Sequence, residues 1–105
     1  MEIQQAIEIR RSIRAYGDRP VEREKLEAIL RAAMQSPTAK NSQCWEFLVV
    51  TEPEAKEAVS RMSEFAMCAA KAGALIIPLA NQQRTDPAED WWVQDLAAAV
   101  QTMLL

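Results

Sequence analysis

Histidine is absent from this chain, and cysteine occurs only at Cys44 and Cys68. A Ser/His or Cys/His nucleophilic pair is therefore excluded within it. No CxxC or mixed Cys/His spacing is present to hold a metal. Two thiols without a framework are expected to stay reduced, as in a cytosolic protein. Glycine is almost as scarce, with Gly17 and Gly73 the only two, about 2% where ~7% is usual. Few helices can then close on a glycine cap. An excess of positive charge is also lacking: 12 Lys and Arg face 15 Asp and Glu, a net charge of −3. That balance argues against a nucleic-acid partner, whose phosphates call for clustered excess cation. Long apolar runs are missing too. The uncharged stretches 72–83 and 96–105 fall short of the ~20 residues that span a bilayer. Met1-Glu2-Ile3 is not the basic start of a signal peptide. No membrane partner and a cytoplasmic location are expected.

What is present reads as one domain over residues 1–105. Half the residues are hydrophobic and 26% are charged, the profile of a globular chain. At this length roughly 65% of the unfolded surface can be buried. Ile3, Ala6 and Ile7, with Arg10 at the limit, fit a short amphipathic helix. Residues 12–20 read as extended or turn-like, with Tyr16-Gly17-Asp18 as the turn signal. Over residues 22–35, Leu26, Ile29, Leu30, Ala33 and Met34 share one helical face. Ser36-Pro37 stops that helix. Phe47-Leu48-Val49-Val50 is a buried strand by length and composition. Thr51-Glu52-Pro53-Glu54 predicts a capping box and a helix to about Met62. Residues 65–72 are ambiguous, their alanines favouring helix. Residues 74–80 form a second strand candidate, in which Pro78 implies an edge or a bulge. Asp86-Pro87-Ala88-Glu89 reads as a further helix start. After it, Val93, Leu96, Ala97, Val100, Met103 and Leu104 recur at helical spacing. No Gly, Asn or Pro closes this last helix, which reads as an interruption rather than a designed end.

Two segments carry chemistry. In Ile9-Arg10-Arg11-Ser12-Ile13-Arg14, three guanidinium groups and a hydroxyl fall within five residues. Arg10 and Arg14 share a face if the helix persists. Forked guanidinium donors match phosphate oxygens, so the cluster suits one small anion. Cations at a helix end also simply complement its dipole. The second segment is Ser36-Pro37-Thr38-Ala39-Lys40-Asn41-Ser42-Gln43-Cys44-Trp45. Pro37 fixes the backbone, small Thr38 and Ala39 allow a flat ring to approach, and Asn41, Ser42 and Gln43 supply donors and acceptors. An ordinary helix-to-strand connection is often this polar as well.

Taken in order, these segments resemble the nitroreductase family. The resemblance runs from the arginine cluster through Pro20-Val21, Ala32-Ala33, Ser36-Pro37 and Asn41-Ser42-Gln43-x-Trp45. It continues into Trp92-Val93-Gln94-Asp95-Leu96-Ala97-Ala98-Ala99-Val100-Gln101, which looks like the family's central helix. It implies an α+β, truncated nitroreductase-like fold: helices packed on a small sheet, ending in that long helix, with only the N-terminal portion of the family domain represented. It also implies an FMN cofactor, NAD(P)H as reductant and a homodimer. By resemblance, Arg10 and Ser12 would bind the FMN phosphate and ribityl chain. Arg11 would assist, and Arg14 would lie near the ribityl and the pyrimidine edge of the ring. Pro37, Thr38 and Ala39 would cover the ring from the partner subunit, with Asn41 and Gln43 ordering that loop.

The chain departs from the family at Cys44, where proline is common, and at Pro78 inside a strand. The family's later glycine-containing flavin loop and its C-terminal basic residue have no match here.

The implied function is that of an FMN-dependent oxidoreductase passing hydride from NAD(P)H to a nitroaromatic, quinone or similar acceptor. The cofactor performs that chemistry, so no catalytic protein acid, base or nucleophile is required. The alternative is a non-catalytic remnant serving dimerisation or interaction. In either case the chain alone is expected to retain FMN weakly or not at all. Trp91 and Trp92 read as interface residues.

Overall fold

The computed structural model describes residues 1–86 and 89–105. Six regular elements follow one another: helix α1 (Ile3–Ile9), helix α2 (Arg23–Ala33), strand β1 (Trp45–Val50), helix α3 (Pro53–Ser60), strand β2 (Leu75–Ala80) and helix α4 (Trp92–Leu104). Short 3₁₀ segments lie at Ala39–Asn41, Glu64–Lys71 and Gln82–Arg84. The arrangement is α+β, with helices around a two-stranded antiparallel sheet.

On α2 the exposed side carries the i,i+4 pair Arg23–Glu27 at 2.9 Å. Just before it, Glu22 meets Lys25 at 2.9 Å. Ala33 is fully buried at the end of that helix, and Ala99 is fully buried on α4, against which α2 packs. Such small residues let helix axes come close. In the sheet, Trp45 faces Ala80 and Val50 faces Leu75. Pro78 lies opposite Phe47. With two strands among the described residues, each has an open edge, so the missing proline N–H breaks no interior ladder. The edge reading of Pro78 therefore holds.

Several boundaries differ from the sequence expectation. Helix α1 ends at Ile9, and Arg10 is already extended, with φ −55° and ψ 134°. Arg10 and Arg14 thus share no helical face. The capping box at 51–54 does not form: Glu52 is the N-cap and makes no side-chain cap bond. Pro53 accounts for this, because its fixed φ and absent N–H suit the first helical position and move the cap to Glu52. The ambiguous stretch is the 3₁₀ segment Glu64–Lys71, started by the Ser63 hydroxyl, which accepts from the Phe65 N–H at 3.1 Å. Of the expected helix start at 86–89, Pro87 and Ala88 lie outside the described residues. The described helix begins at Trp92.

The core is small. Ala33, Cys44, Val50, Ala72 and Ala99 are its buried apolar residues, and Asp95 is buried with them. Gly73 is a packing requirement: a Cβ there would stand 2.9 Å from Val21 Cγ2 and 3.2 Å from the Arg19 carbonyl oxygen. The segment 19–21 therefore lies directly against Gly73, just before β2. No helix among the described residues is long and apolar enough to cross a membrane.

Candidate functional site

The arginine cluster sits where α1 runs out. Arg10 is half-buried, while Arg11, Ser12 and Arg14 are exposed. The Arg11 guanidinium donates to the carbonyls of Glu8 (2.9 Å) and Arg10 (2.8 Å). That of Arg14 reaches the Ser12 carbonyl at 3.5 Å. Among the described residues no carboxylate pairs with Arg10, Arg11 or Arg14. In a chain with 15 acids, three unneutralised guanidiniums at one bend form a local surplus of positive charge.

The segment after α2 is a wound loop. Met34 and Gln35 turn, Ser36 follows, and the 3₁₀ segment Ala39–Asn41 leads to β1. Lys40, Asn41 and Gln43 all take left-handed backbone, with φ of 55°, 52° and 50°. Non-glycine residues pay for that geometry, so something must hold it. Inside the loop, the Gln43 N–H donates to Thr38 Oγ1 at 3.0 Å. At its surface, Lys40 Nζ meets Glu89 at 2.9 Å and Asp86 at 3.8 Å. The hydrogen bond to Glu89 raises the Lys40 pKa above its ordinary value. Arg84 donates to the Gln43 carbonyl at 3.4 Å.

Helix α4 supplies the inner supports. Asp95 Oδ1 accepts the Ala39 N–H at 3.0 Å. Asp95 Oδ2 stands 4.0 Å from the sulfur of Cys44, itself fully buried. Two turns along, the Thr102 hydroxyl donates to the Ala98 carbonyl at 3.0 Å. Its single proton is thereby used, so Ser36 must be the donor in the 3.1 Å bond between Ser36 Oγ and Thr102 Oγ1. An amide bonded to a buried carboxylate contributes roughly 1.5–3 kcal/mol. Beside these contacts a cleft is lined by Ala39, Lys40, Ser42, Arg84, Trp91 and Asp95, among others.

Of the expected loop residues, Thr38 and Ala39 are half-buried, whereas Pro37, Asn41 and Gln43 are exposed. Thr38, Ala39 and Gln43 are brought together by hydrogen bonds, Ala39 through Asp95. No hydrogen bond or ion pair among the described residues joins segment 10–14 to segment 36–45. A different contact fixes the stretch after the arginines: the Tyr16 hydroxyl reaches Cys68 Sγ at 3.6 Å.

Asp95 escaped the sequence reading, which treated its helix as a plain apolar stripe. The available signal was a lone acid spaced three after Trp92 and four before Ala99, on a face that otherwise carries no charge. A buried acid at such a place needs a partner. Ser42 Oγ and Trp45 Nε1 are buried and have no hydrogen-bond partner among the described residues. No group of three or more Cys, Asp or Glu among the described residues could hold a metal ion.

Comparison with known proteins supplies the wider frame. The profile of the nitroreductase family matches residues 7–74. A protein of Archaeoglobus fulgidus, provisionally named NADH dehydrogenase/NAD(P)H nitroreductase, is 41% identical over 96 residues, covering 91% of this chain and 55% of that protein. A provisionally named NADH oxidase of Clostridium acetobutylicum superposes with a TM-score of 0.90 at 42% identity, over 94% of this chain and 59% of that one. A structure described as a provisionally named nitroreductase in complex with FMN, from Desulfovibrio desulfuricans, gives a TM-score of 0.88 at 30% identity, over 96% of this chain and 59% of that one. The fold is thus the nitroreductase-like arrangement expected from the sequence, and the chain spans about half the length of the curated relatives it matches.

Proposed function

Because this chain belongs to the nitroreductase family, we propose that it provides the phosphate cluster and ring-covering loop of an FMN-dependent oxidoreductase. The reaction proposed is hydride transfer from NAD(P)H to a nitroaromatic, quinone or similar acceptor, in a homodimer. The observation that carries this reading is the trio Arg10, Arg11 and Arg14, which no carboxylate neutralises among the described residues. A phosphomonoester supplies the charge that such a cluster lacks. The orphaned polar atoms Ser42 Oγ and Trp45 Nε1 fit a neighbouring ligand in the same sense.

Each residue has a role in this reading. Arg10 and Ser12 hold the phosphate and ribityl chain, and Arg11 assists. Arg14 places positive charge by the ribityl and the ring edge. Pro37, Thr38 and Ala39 form a small, rigid cover for the ring of the partner subunit's flavin, while Asn41 and Gln43 order that cover. FMN, when bound, supplies the redox chemistry itself. The protein binds, orients and shields it.

The test adds FMN to the chain with and without the part of the Archaeoglobus relative that the chain does not match. Flavin colour after desalting is expected with that part present, and NADH or NADPH is expected to bleach it. Colourless protein in both preparations would contradict the reading. A colourless but stable dimer would favour a non-catalytic interaction protein, a reading to which the open apolar surface around Phe65 gives some footing: that side chain is 86% exposed.

A further inference from the structure

We propose that Asp95 is a positioning residue, which holds the Pro37–Thr38–Ala39 cover in its working shape from inside the protein. The inference rests on the reading of that cover as a flavin contact. Asp95 is only 7% exposed, and a buried carboxylate is retained only where donors reach it. The donor here is the backbone N–H of Ala39 at 3.0 Å. The Cys44 thiol faces the second oxygen at 4.0 Å.

The other restraints on the loop are of a different kind. Gln43 to Thr38 is a bond of the loop to itself. Lys40 with Glu89, and Arg84 with Gln43, are exposed, where water competes for every partner. Asp95 and Thr102 lie seven apart on α4, hence on one face. Their bonds to Ala39 and Ser36 bracket Pro37 and Thr38. The three left-handed residues that follow begin one position beyond the Asp95 bond. The carboxylate therefore fixes the last point before the strained turn, and with it the plane that the cover presents to a ring.

Asn and Leu separate the two parts of this claim, since both match the shape of Asp and only Asn keeps an acceptor oxygen. In Asp95→Leu, exchange of the Ala39 amide with deuterium is expected to accelerate about tenfold or more, while amides of α2 keep their rates. With the unmatched part of the Archaeoglobus relative supplied, FMN and riboflavin affinities are expected to fall together, because ring cover rather than phosphate is lost. Asp95→Asn is expected to restore both readouts to within about threefold of the parent chain. Unchanged Ala39 exchange in Asp95→Leu would overturn the proposal, as would flavin affinity that ignores a loosened Ala39, or failure of Asn to rescue. Should Asp95→Leu not fold, a scalar coupling across the hydrogen bond in the parent chain decides, from the Ala39 nitrogen to the Asp95 carboxyl carbon. Its presence supports the positioning bond and its absence overturns it. If no flavin bound even with the unmatched part of the Archaeoglobus relative supplied, the reading as a flavin protein would fail while the exchange rates still tested the role of Asp95.

Discussion

Gly73 shows how much one missing side chain can matter. Its Cβ would press on Val21 Cγ2 at 2.9 Å and on the Arg19 carbonyl at 3.2 Å. The second neighbour is backbone and cannot rotate away. Gly73→Ala is therefore expected to destabilise the chain by about 1–3 kcal/mol, the usual cost of overpacking. Gly17 has nothing within 4 Å of the same added carbon. Gly17→Ala should change stability by no more than about 0.5 kcal/mol. Urea midpoints for the two variants check this, and equal midpoints would contradict it. Scarcity of glycine was legible in the sequence, but the crowding at one of the two was not, because it depends on segment 19–21 folding back against Gly73, just before β2. Asp95 is the same lesson in polar form. Its place among apolar neighbours was visible, whereas its partner lies 56 residues away at Ala39.

At the scale of elements, the stretch 11–20 has no regular structure, and the contact of Tyr16 with Cys68 is one of its ties to the 3₁₀ segment Glu64–Lys71. The hydrogen bond to Cys68 raises the Tyr16 pKa above 10.0, with desolvation and the charge of Cys68 acting in the same direction. A folded-state pKa above the unfolded one means that this tie is at full strength below the unfolded pKa. Its contribution is lost as pH rises through the folded value. Tyr16 is the only tyrosine in the chain, so the ultraviolet band of phenolate reports on it alone. Its midpoint is expected above 10.0 and should move down in Cys68→Ala. A midpoint indifferent to Cys68 would remove the contact.

Periodicity and length located the four α-helices and both strands, because Leu26, Ile29 and Leu30 turn one face of α2 inward and 47–50 is too short an apolar run for a helix. The expected burial of that strand is not met: Val50 is buried, but Leu48 is 51% and Val49 36% exposed, since a two-stranded sheet leaves much of its surface open. Ends were less legible. Arg10 leaves the helix although nothing in its own residue type forbids another turn. At Pro53 two local rules competed, and the fixed proline backbone prevailed over the threonine cap.

For the whole molecule, the Cα radius of gyration is 14.9 Å, against about 13 Å for a compact domain of this length. The excess goes with exposed large side chains: Ile3, Ile7, Ile13, Met62, Phe65, Met67 and Val93 among them. Trp91 is half exposed beside the start of α4. Apolar area of this kind calls for a partner surface, and a homodimer or larger species is expected at micromolar concentration. Sedimentation velocity checks it, and a folded monomer throughout would contradict it.

The claim on which the account turns is that Arg10 and Ser12 form a phosphate site for FMN, with Arg14 beside the ribityl chain. Its most direct test compares FMN with riboflavin, which differ only in the phosphate, by flavin fluorescence titration of the chain, supplied with the unmatched part of the Archaeoglobus relative, and of its Arg10→Ala/Arg14→Ala variant in the same setting. Each charge-assisted hydrogen bond lost should cost roughly 1.5–3 kcal/mol. FMN is therefore expected to bind the parent chain at least about tenfold more tightly than riboflavin, with the double variant bringing the two close to parity. Equal affinities in the parent chain, or an FMN preference that survives loss of both arginines, would contradict the account.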